Sequence, residues 1–285
     1  MSLHINVELH THSTASDGQY SPGELYSKCK ALDIKVWSLT DHDTMRGCQD
    51  VLSLPRENSG MTFIPGVEIS ARDKVSVHVL GYGLDPEDQA LQELFEGRRQ
   101  KRLERMMGMV EKARIMGFEL TLEALHAEAP DGNFARPHLA KVLLKRGYVK
   151  SMQHAFDKYL GDGKPLYIKS PYMSVEDAIA LIRANRGVAV IAHPGTSRRD
   201  ECIPQWVDSG LDGLECKHPA HSAELAAHYQ GLARRHGLLH TASSDFHGPD
   251  VAPERMLGHA TLPQDALEQV LAKIKQRGGI VVDSL

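Results

Sequence analysis

Residues 4–43 read HINVELHTHSTASDGQYSPGELYSKCKALDIKVWSLTDHD. Residues 4–10 alternate apolar and polar side chains, as a half-buried strand does. Ser21-Pro22-Gly23-Glu24 combines an N-cap serine, a proline at the first helical position and a capping-box glutamate, so a helix starts there and ends near Asp33. IKVWSLT (34–40) follows as a second strand. Strand, helix and strand in succession mark a parallel sheet. Each strand runs out into metal-ligand residue types, His10 and His12 after the first and Asp41, His42 and Asp43 after the second.

The same rhythm extends outward from this stretch. Residues 61–64 (MTFI) and 75–80 (VSVHVL) read as strands, and a short helix precedes them. From 87 to 116 the pattern is a long, charged helix, and 119–128, 138–146 and 151–160 are also helical, with no strand between them. Ser174 then caps a helix that runs to about Arg186, with Gly187 as its stop. Strand 188–193 (VAVIAH), strand-like 211–216, helix 222–236, strand 238–243, helix 264–276 and strand 280–284 complete the chain. The expectation is an α/β fold built on a parallel sheet, open or closed into a barrel. Residues 1–97 and 169–285 would form it, and 98–168 would be an inserted helical cap over the site.

With 285 residues, a large core is available without disulfides. The four cysteines are scattered, with no CxxC pair, which argues against a zinc-thiolate site and for a reducing compartment. A net charge of −4 argues against bulk electrostatic binding of long nucleic acid. No basic-then-apolar leader opens the chain, and no apolar run approaches the roughly 20 residues of a membrane span. A cytoplasmic protein with no membrane contact and no obligate protein partner is the expectation. The 16 histidines are the compositional oddity, many of them beside Asp or Glu near predicted strand ends.

Ligands at one end of successive parallel strands converge in space. His10 and His12, two apart on a strand, face one side. Either alone reads as a core histidine; the pair, with Asp17 close behind, favours a metal. Asp245-Phe246-His247 repeats that spacing. His42 is the ligand candidate of its triplet, whereas Asp43 could simply cap the next helix. Glu68 follows the third strand in GVEIS and gains weight from its neighbours in the series, while His78 lies inside an apolar strand, ordinarily a core position. His193, before Pro194 and Gly195, sits on a tight turn that suits a rigid ligand. Imidazole and carboxylate without thiolate suit Mn, Fe or Zn. The number of candidates exceeds the needs of one ion and points to a cluster bridged by a carboxylate such as Glu68. Such clusters activate water and neutralise phosphoryl charge.

HTHSTASDG, TDHDT, GVEIS, the strand histidine His78, AHPG and SDFHG together resemble the motif series of the PHP (polymerase and histidinol phosphatase) family, in order and spacing, over nearly the whole chain apart from the helical stretch. The resemblance implies a distorted (β/α)7 barrel with an inserted helical cap and a site for three divalent metals, Mn before Fe or Zn. It places His10, His12, Glu68 and Asp245 on one ion, Glu68, His78 and His193 on a second, and Asp17, His42 and His247 on a third, with His193, Asp245 and Glu68 as the catalytic groups.

FARPHLAK (134–141) and PLYIKSPYMS (165–174) resemble the branch acting on 3',5'-nucleotide bisphosphates, whose relatives trim short RNA from its 5' end. That branch implies hydrolysis of the 3'-phosphate by attack of a metal-bridging hydroxide, on a small nucleotide or a short RNA 5' end. Arg136, His138 and Lys169 are its candidates for holding phosphate, Arg by a bidentate fork and Lys by a point charge. The ordinary structural role of Arg136, beside Pro137, is a surface ion pair at a helix start. His218 and His221 follow another strand end and could face the same pocket or begin a helix. Two other readings use the same ligands: a histidinol-phosphate phosphatase, against which the insertion counts, and a non-catalytic accessory domain of a polymerase assembly.

Overall fold

A computed structural model describes residues 3–55, 60–129, 132, 134–169 and 172–285. Ser170 and Pro171 of the PLYIKSPYMS motif lie outside the described residues. The chain divides into two compact units, one made of Met1–Gln92 and Tyr172–Leu285, the other of Glu93–Pro171.

The first unit is a mixed α/β barrel. Its strands are β1 (His4–Glu8), β2 (Val36–Leu39), β3 (Thr62–Asp73), β4 (Val75–Tyr82), β5 (Val188–Ile191), β6 (Gly213–Lys217), β7 (Leu239–Ala242) and β8 (Thr261–Pro263), in the order β7-β6-β5-β4-β3-β2-β1-β8. The sheet curls until its ends nearly meet. Thr11, beyond β1, bridges Phe246, beyond β7, and the His12 N–H donates to the Phe246 carbonyl at 2.9 Å. Lys217 Nζ reaches the Thr261 carbonyl across the same seam at 3.4 Å.

The sheet is not wholly parallel, contrary to the β-α alternation. β4 runs antiparallel to both β3 and β5, and β8 antiparallel to β1. The reason is local: β3 and β4 are separated by Lys74 alone, held at φ 30°, and so short a turn can join only antiparallel strands. The expected strand 280–284 is reduced to one bridge, Val282 with Phe63. β4 stops opposite Gly66, so the stretch of β3 before it has a bare edge, which this last segment partly covers. β8, absent from the sequence reading, is only three residues long, and its Pro263 already caps the helix Gln264–Gln276.

The capping signals around Ser21 form as read. The Ser21 N–H donates to Glu24 Oε2 at 2.8 Å, and its hydroxyl accepts from the Glu24 amide, starting the helix Pro22–Ala31. The barrel interior is filled by Val7, Leu9, Ile64, Leu80, Tyr82 and Val190, with Val270 and Ile274 packing from the last helix.

In the second unit every described element is helical. It has a core of its own, including Met109, Phe134, Leu139, Leu143, Leu160 and Leu166. The stretch expected as one helix at 151–160 is an α-turn, Met152–Ala155, continued by a π-helical turn, Phe156–Leu160. Among the described residues no helix is long and apolar enough to cross a membrane.

Candidate metal centre

The strand ends deliver the ligand candidates to one place. His10 and His12 leave β1 and are fully buried. The loop after them turns back on itself at Gly18, where a Cβ would lie 2.2 Å from the His12 carbonyl oxygen, so only glycine lets Asp17 return beside His12. Glu68 lies inside β3 instead of following a strand, because the β3–β4 hairpin extends the strand past it to Asp73. His78 projects from the facing arm of that hairpin, with its Nδ1 2.7 Å from Glu68 Oε1. Asp43 does not cap the next helix, Arg46–Leu52, whose N-cap is Met45; its carboxylate accepts the Ser70 N–H at 3.2 Å. His193 and Asp245 both take left-handed backbone, φ 28° and 50°, a state that His and Asp adopt more readily than most non-glycine residues.

All nine ligand candidates come together. His10 Nε2 is 3.3 Å from Glu68 Oε2 and 3.2 Å from Asp245 Oδ1, and His12 Nε2 is 3.3 and 3.1 Å from the same two oxygens. The other Glu68 oxygen, Oε1, faces His78 and, at 3.1 Å, His193 Nε2. Asp17 lies 3.7 Å from His42 Nε2 and 3.4 Å from His247 Nε2, and 3.6 Å from His12 Nδ1. His42 Nδ1 also approaches Glu68 Oε2 at 3.0 Å, which draws the third group close to the first.

Whether these residues fit a metal is decided by three atoms. His10 Nε2, His12 Nε2 and Asp245 Oδ1 are buried and make no hydrogen bond. Buried polar atoms are ordinarily paired. Here these atoms, which lack a hydrogen bond, face each other at 3.1 and 3.2 Å, within the spacing of about 3.0–3.4 Å that separates ligands held about 2.1 Å from a common ion. The donor set fits a divalent cation.

A second layer orients the first. Glu215, fully buried on β6, places Oε1 3.1 Å from His10 Nδ1 and accepts the His193 N–H on Oε2 at 2.7 Å. Thr196 Oγ1 meets His193 Nδ1 at 2.9 Å, and the Asp245 carbonyl accepts from His247 Nδ1 at 2.8 Å. Each contact fixes which ring nitrogen is left for a metal. Asp41 accepts from the Ser13 amide and from the Ser13 and Ser16 hydroxyls, and Glu8 binds Ser243 and Ser244. Arg255 donates to Asp245 Oδ2 at 2.5 Å. The sequence reading missed Glu215 and Arg255. A charged residue inside the apolar LDGLEC strand was a usable signal for Glu215; nothing in the loop around Arg255 marked it.

Burial favours the neutral forms, yet the cluster keeps its charges by pairing them. Burial alone would raise the Asp17, Glu68 and Asp245 carboxyls, but the surrounding imidazoles hold all three well below the carboxylate range. Burial alone would lower His10 and His12, but Asp245 and Glu68 carry His10 well above the usual imidazole value and His12 up to about 10. Glu8 and Asp41, away from this balance, are pushed up by burial.

The substrate-binding candidates are placed differently. His218 is buried, with Nε2 3.1 Å from Asp245 Oδ2. Both ring nitrogens of His221 are taken by backbone, Nδ1 by the Cys216 carbonyl and Nε2 by the Gly195 N–H. In the second unit, His138 is buried with Nδ1 accepting the Ala135 N–H at 3.0 Å, a helix-capping contact. Arg136 pairs with Asp162 at 3.0 Å and also donates to the Leu160 carbonyl, while Lys169 is exposed.

Comparison with known proteins agrees with this geometry. The PHP domain profile matches residues 8–279. The chain is 35% identical to the 3',5'-nucleoside bisphosphate phosphatase of Chromobacterium violaceum, over 86% of this chain and 88% of that protein. It is 31% identical to the 5'-3' exoribonuclease Rnm of Escherichia coli, over 86% of each. Among solved structures, an amidohydrolase from Chromobacterium violaceum with bound sulfate superposes with a TM-score of 0.84 at 30% identity, covering 98% of both chains.

Proposed function

The chain belongs to the PHP domain family and is a metal-dependent phosphoesterase, and from that premise we propose that it removes the 3'-phosphate from nucleotides phosphorylated at both 3' and 5' positions. The observation that carries the reading is that His10 Nε2 and His12 Nε2, both buried, each face two carboxylate oxygens, Glu68 Oε2 and Asp245 Oδ1, at 3.1–3.3 Å. A relative 35% identical to this chain, matched over 88% of its own length, is named for that substrate.

We assign three divalent ions, Mn before Fe or Zn. His10, His12, Glu68 and Asp245 would hold the first, Glu68, His78 and His193 the second, and Asp17, His42 and His247 the third. Bound divalent ions supply an activated water and neutralise phosphoryl oxygens. The protein's own contribution is geometric. Glu68 turns one oxygen to each of two histidine groups, so it sets the spacing between them. Asp245 and His193, both on left-handed backbone, bring ligand atoms within 4.8 Å of each other beside His10. Selectivity then falls to groups that bind the non-reacting end of the substrate. Arg136 and Lys169, from the motifs that resemble the bisphosphate branch, are our candidates for holding the 5'-phosphate. Trimming of short RNA from its 5' end is a second activity of the same site, favoured by the similarity to the exoribonuclease.

The test is phosphate release, with metal content measured in parallel, from a 3',5'-bisphosphonucleotide, histidinol phosphate, an aryl phosphate and a short 5'-phosphorylated RNA. The bisphosphate should have the highest kcat/KM. Histidinol phosphate in first place would overturn the substrate assignment, and a metal-loaded protein inert on all four would favour a non-catalytic accessory domain.

A further inference from the structure

Asp245 has two carboxylate oxygens in opposite situations. Oδ1 is buried and unbonded, facing His10 and His12. Oδ2 is held twice, by His218 Nε2 at 3.1 Å and by Arg255 Nη1 at 2.5 Å. The roles within the His218 contact are fixed by its other nitrogen. Nδ1 lies 3.0 Å from the Ala220 amide nitrogen and can only accept that N–H, so Nε2 carries the hydrogen and donates to Asp245. Arg255 has no acceptor, so its contact with Oδ2 is also a donation. The same Nη1 lies 3.4 Å from the Asp245 carbonyl and 3.3 Å from His247 Nδ1.

We infer that His218 and Arg255 form a clamp that occupies Asp245 Oδ2 and so commits Oδ1, alone, to the metal. Both are positioning residues: neither has to touch substrate. The inference rests on the metal reading above and extends it to the residue that the family motif contributes from the last barrel loop. A carboxylate free to rotate could chelate one ion through both oxygens or turn Oδ2 inward, and either would change the spacing Glu68 sets. The clamp prevents this with two charge-assisted or polar donors on one oxygen. Asp245 meets both donors from a left-handed backbone, φ 50°. The two donors reach Asp245 from separate elements: His218 directly follows β6, and Arg255 sits in the segment between β7 and β8.

The experiment is Mn²⁺ binding to the full chain, by competition with a fluorescent chelator and by metal retained after dialysis, for wild type, Arg255→Met, Arg255→Lys, His218→Leu and His218→Gln. Met and Leu remove a donor at similar bulk; Lys and Gln keep one. The free Mn²⁺ needed for half-loading should rise about 10- to 100-fold in Arg255→Met and His218→Leu. It should largely recover in the Lys and Gln variants, with the melting temperature of the chelated protein little changed in Arg255→Met. Equal Mn²⁺ affinity in Arg255→Met and wild type would overturn the clamp. Arg255 is partly exposed, so that variant decides the question even where His218→Leu does not fold. Wild type that binds no metal would instead remove the metal reading itself, so the two failures are distinct.

Discussion

Glu215 holds His10 from behind: its Oε1 lies 3.1 Å from His10 Nδ1, both side chains fully buried, while its Oε2 accepts the backbone N–H of His193. One carboxylate on β6 thereby ties the ligand loop of β1 to that of β5. Its charge raises the basicity of the His10 nitrogen on the metal side, and its two bonds fix two ligand orientations. Glu215→Gln keeps the shape and removes the charge. Metal affinity should fall about 10- to 100-fold, with kcat falling in parallel. Titration of the variant with Mn²⁺ checks this; unchanged affinity would show Glu215 to be only a packing residue.

Asp245→Asn should abolish most activity and leave the fold intact. The side chain stays isosteric, but the charge that balances His10 and His12 is lost. Loss of at least about a hundredfold in kcat/KM is expected, about 2.7 kcal/mol of transition-state stabilisation. Steady-state kinetics beside far-UV circular dichroism tests it, and full activity would remove Asp245 from the site.

Without metal, the cluster should make stability depend on pH from both sides. His12 rises from 6.5 to about 10 in the folded state, so its contribution is complete below about 6.5 and is lost as pH climbs toward 10. Asp17, Glu68 and Asp245 are depressed from 3.8, 4.5 and 3.8, so theirs is present above those values and lost as pH falls beneath them. The chelated protein should melt highest in the mildly acidic range and progressively lower toward pH 10. Saturating Mn²⁺ should remove the alkaline decline, because metal replaces the protons on His10 and His12. Thermal melts across pH, with chelator and with metal, measure both effects. An apo melting temperature that stays flat up to pH 10 would contradict the charge balance described for the cluster.

Arg136→Ala should separate substrates. Losing a charge-assisted bond to a distal phosphate costs about 1.5–3 kcal/mol, roughly ten- to a hundredfold. That loss should fall on the 3',5'-bisphosphate and spare an aryl phosphate. The variant also loses the Asp162 pair and the Leu160 carbonyl contact, so a lower melting temperature is expected alongside. Equal kinetic loss on both substrates would assign Arg136 to the stability of its own unit.

The site was more legible in the sequence than the sheet that carries it. His10 and His12, or Asp245 and His247, announce themselves because a spacing of two on extended chain puts ligand types on one side. Glu215 and Arg255 escaped because they act through other residues, and such partners follow no spacing rule: they are neighbours in space only. The direction of β4 was hidden for a related reason. Hydrophobic alternation specifies a strand but not its sense, and because the strand at 61–64 in fact runs on to Asp73, the single-residue turn before β4 did not show in the sequence. His138 looked like a phosphate ligand by motif, while its position three residues after Ala135 at a helix start is the one a capping side chain occupies.

The insertion between β4 and β5 also sets an order of assembly. β4 ends at Tyr82, and β5, its neighbour in the sheet, begins only at Val188. On a chain made from the N-terminus, β1 to β4 emerge as a half-barrel with an open edge and six of its nine ligand candidates. The helical unit, with its own core and local contacts, can condense next. Thermodynamically the detour costs little, since each doubling of a closed loop adds only about 0.6 kcal/mol. Kinetically it leaves the β4 edge and the buried carboxylates waiting for the last third of the chain. A newly made molecule therefore spends its most aggregation-prone interval before β5 arrives to cover the β4 edge.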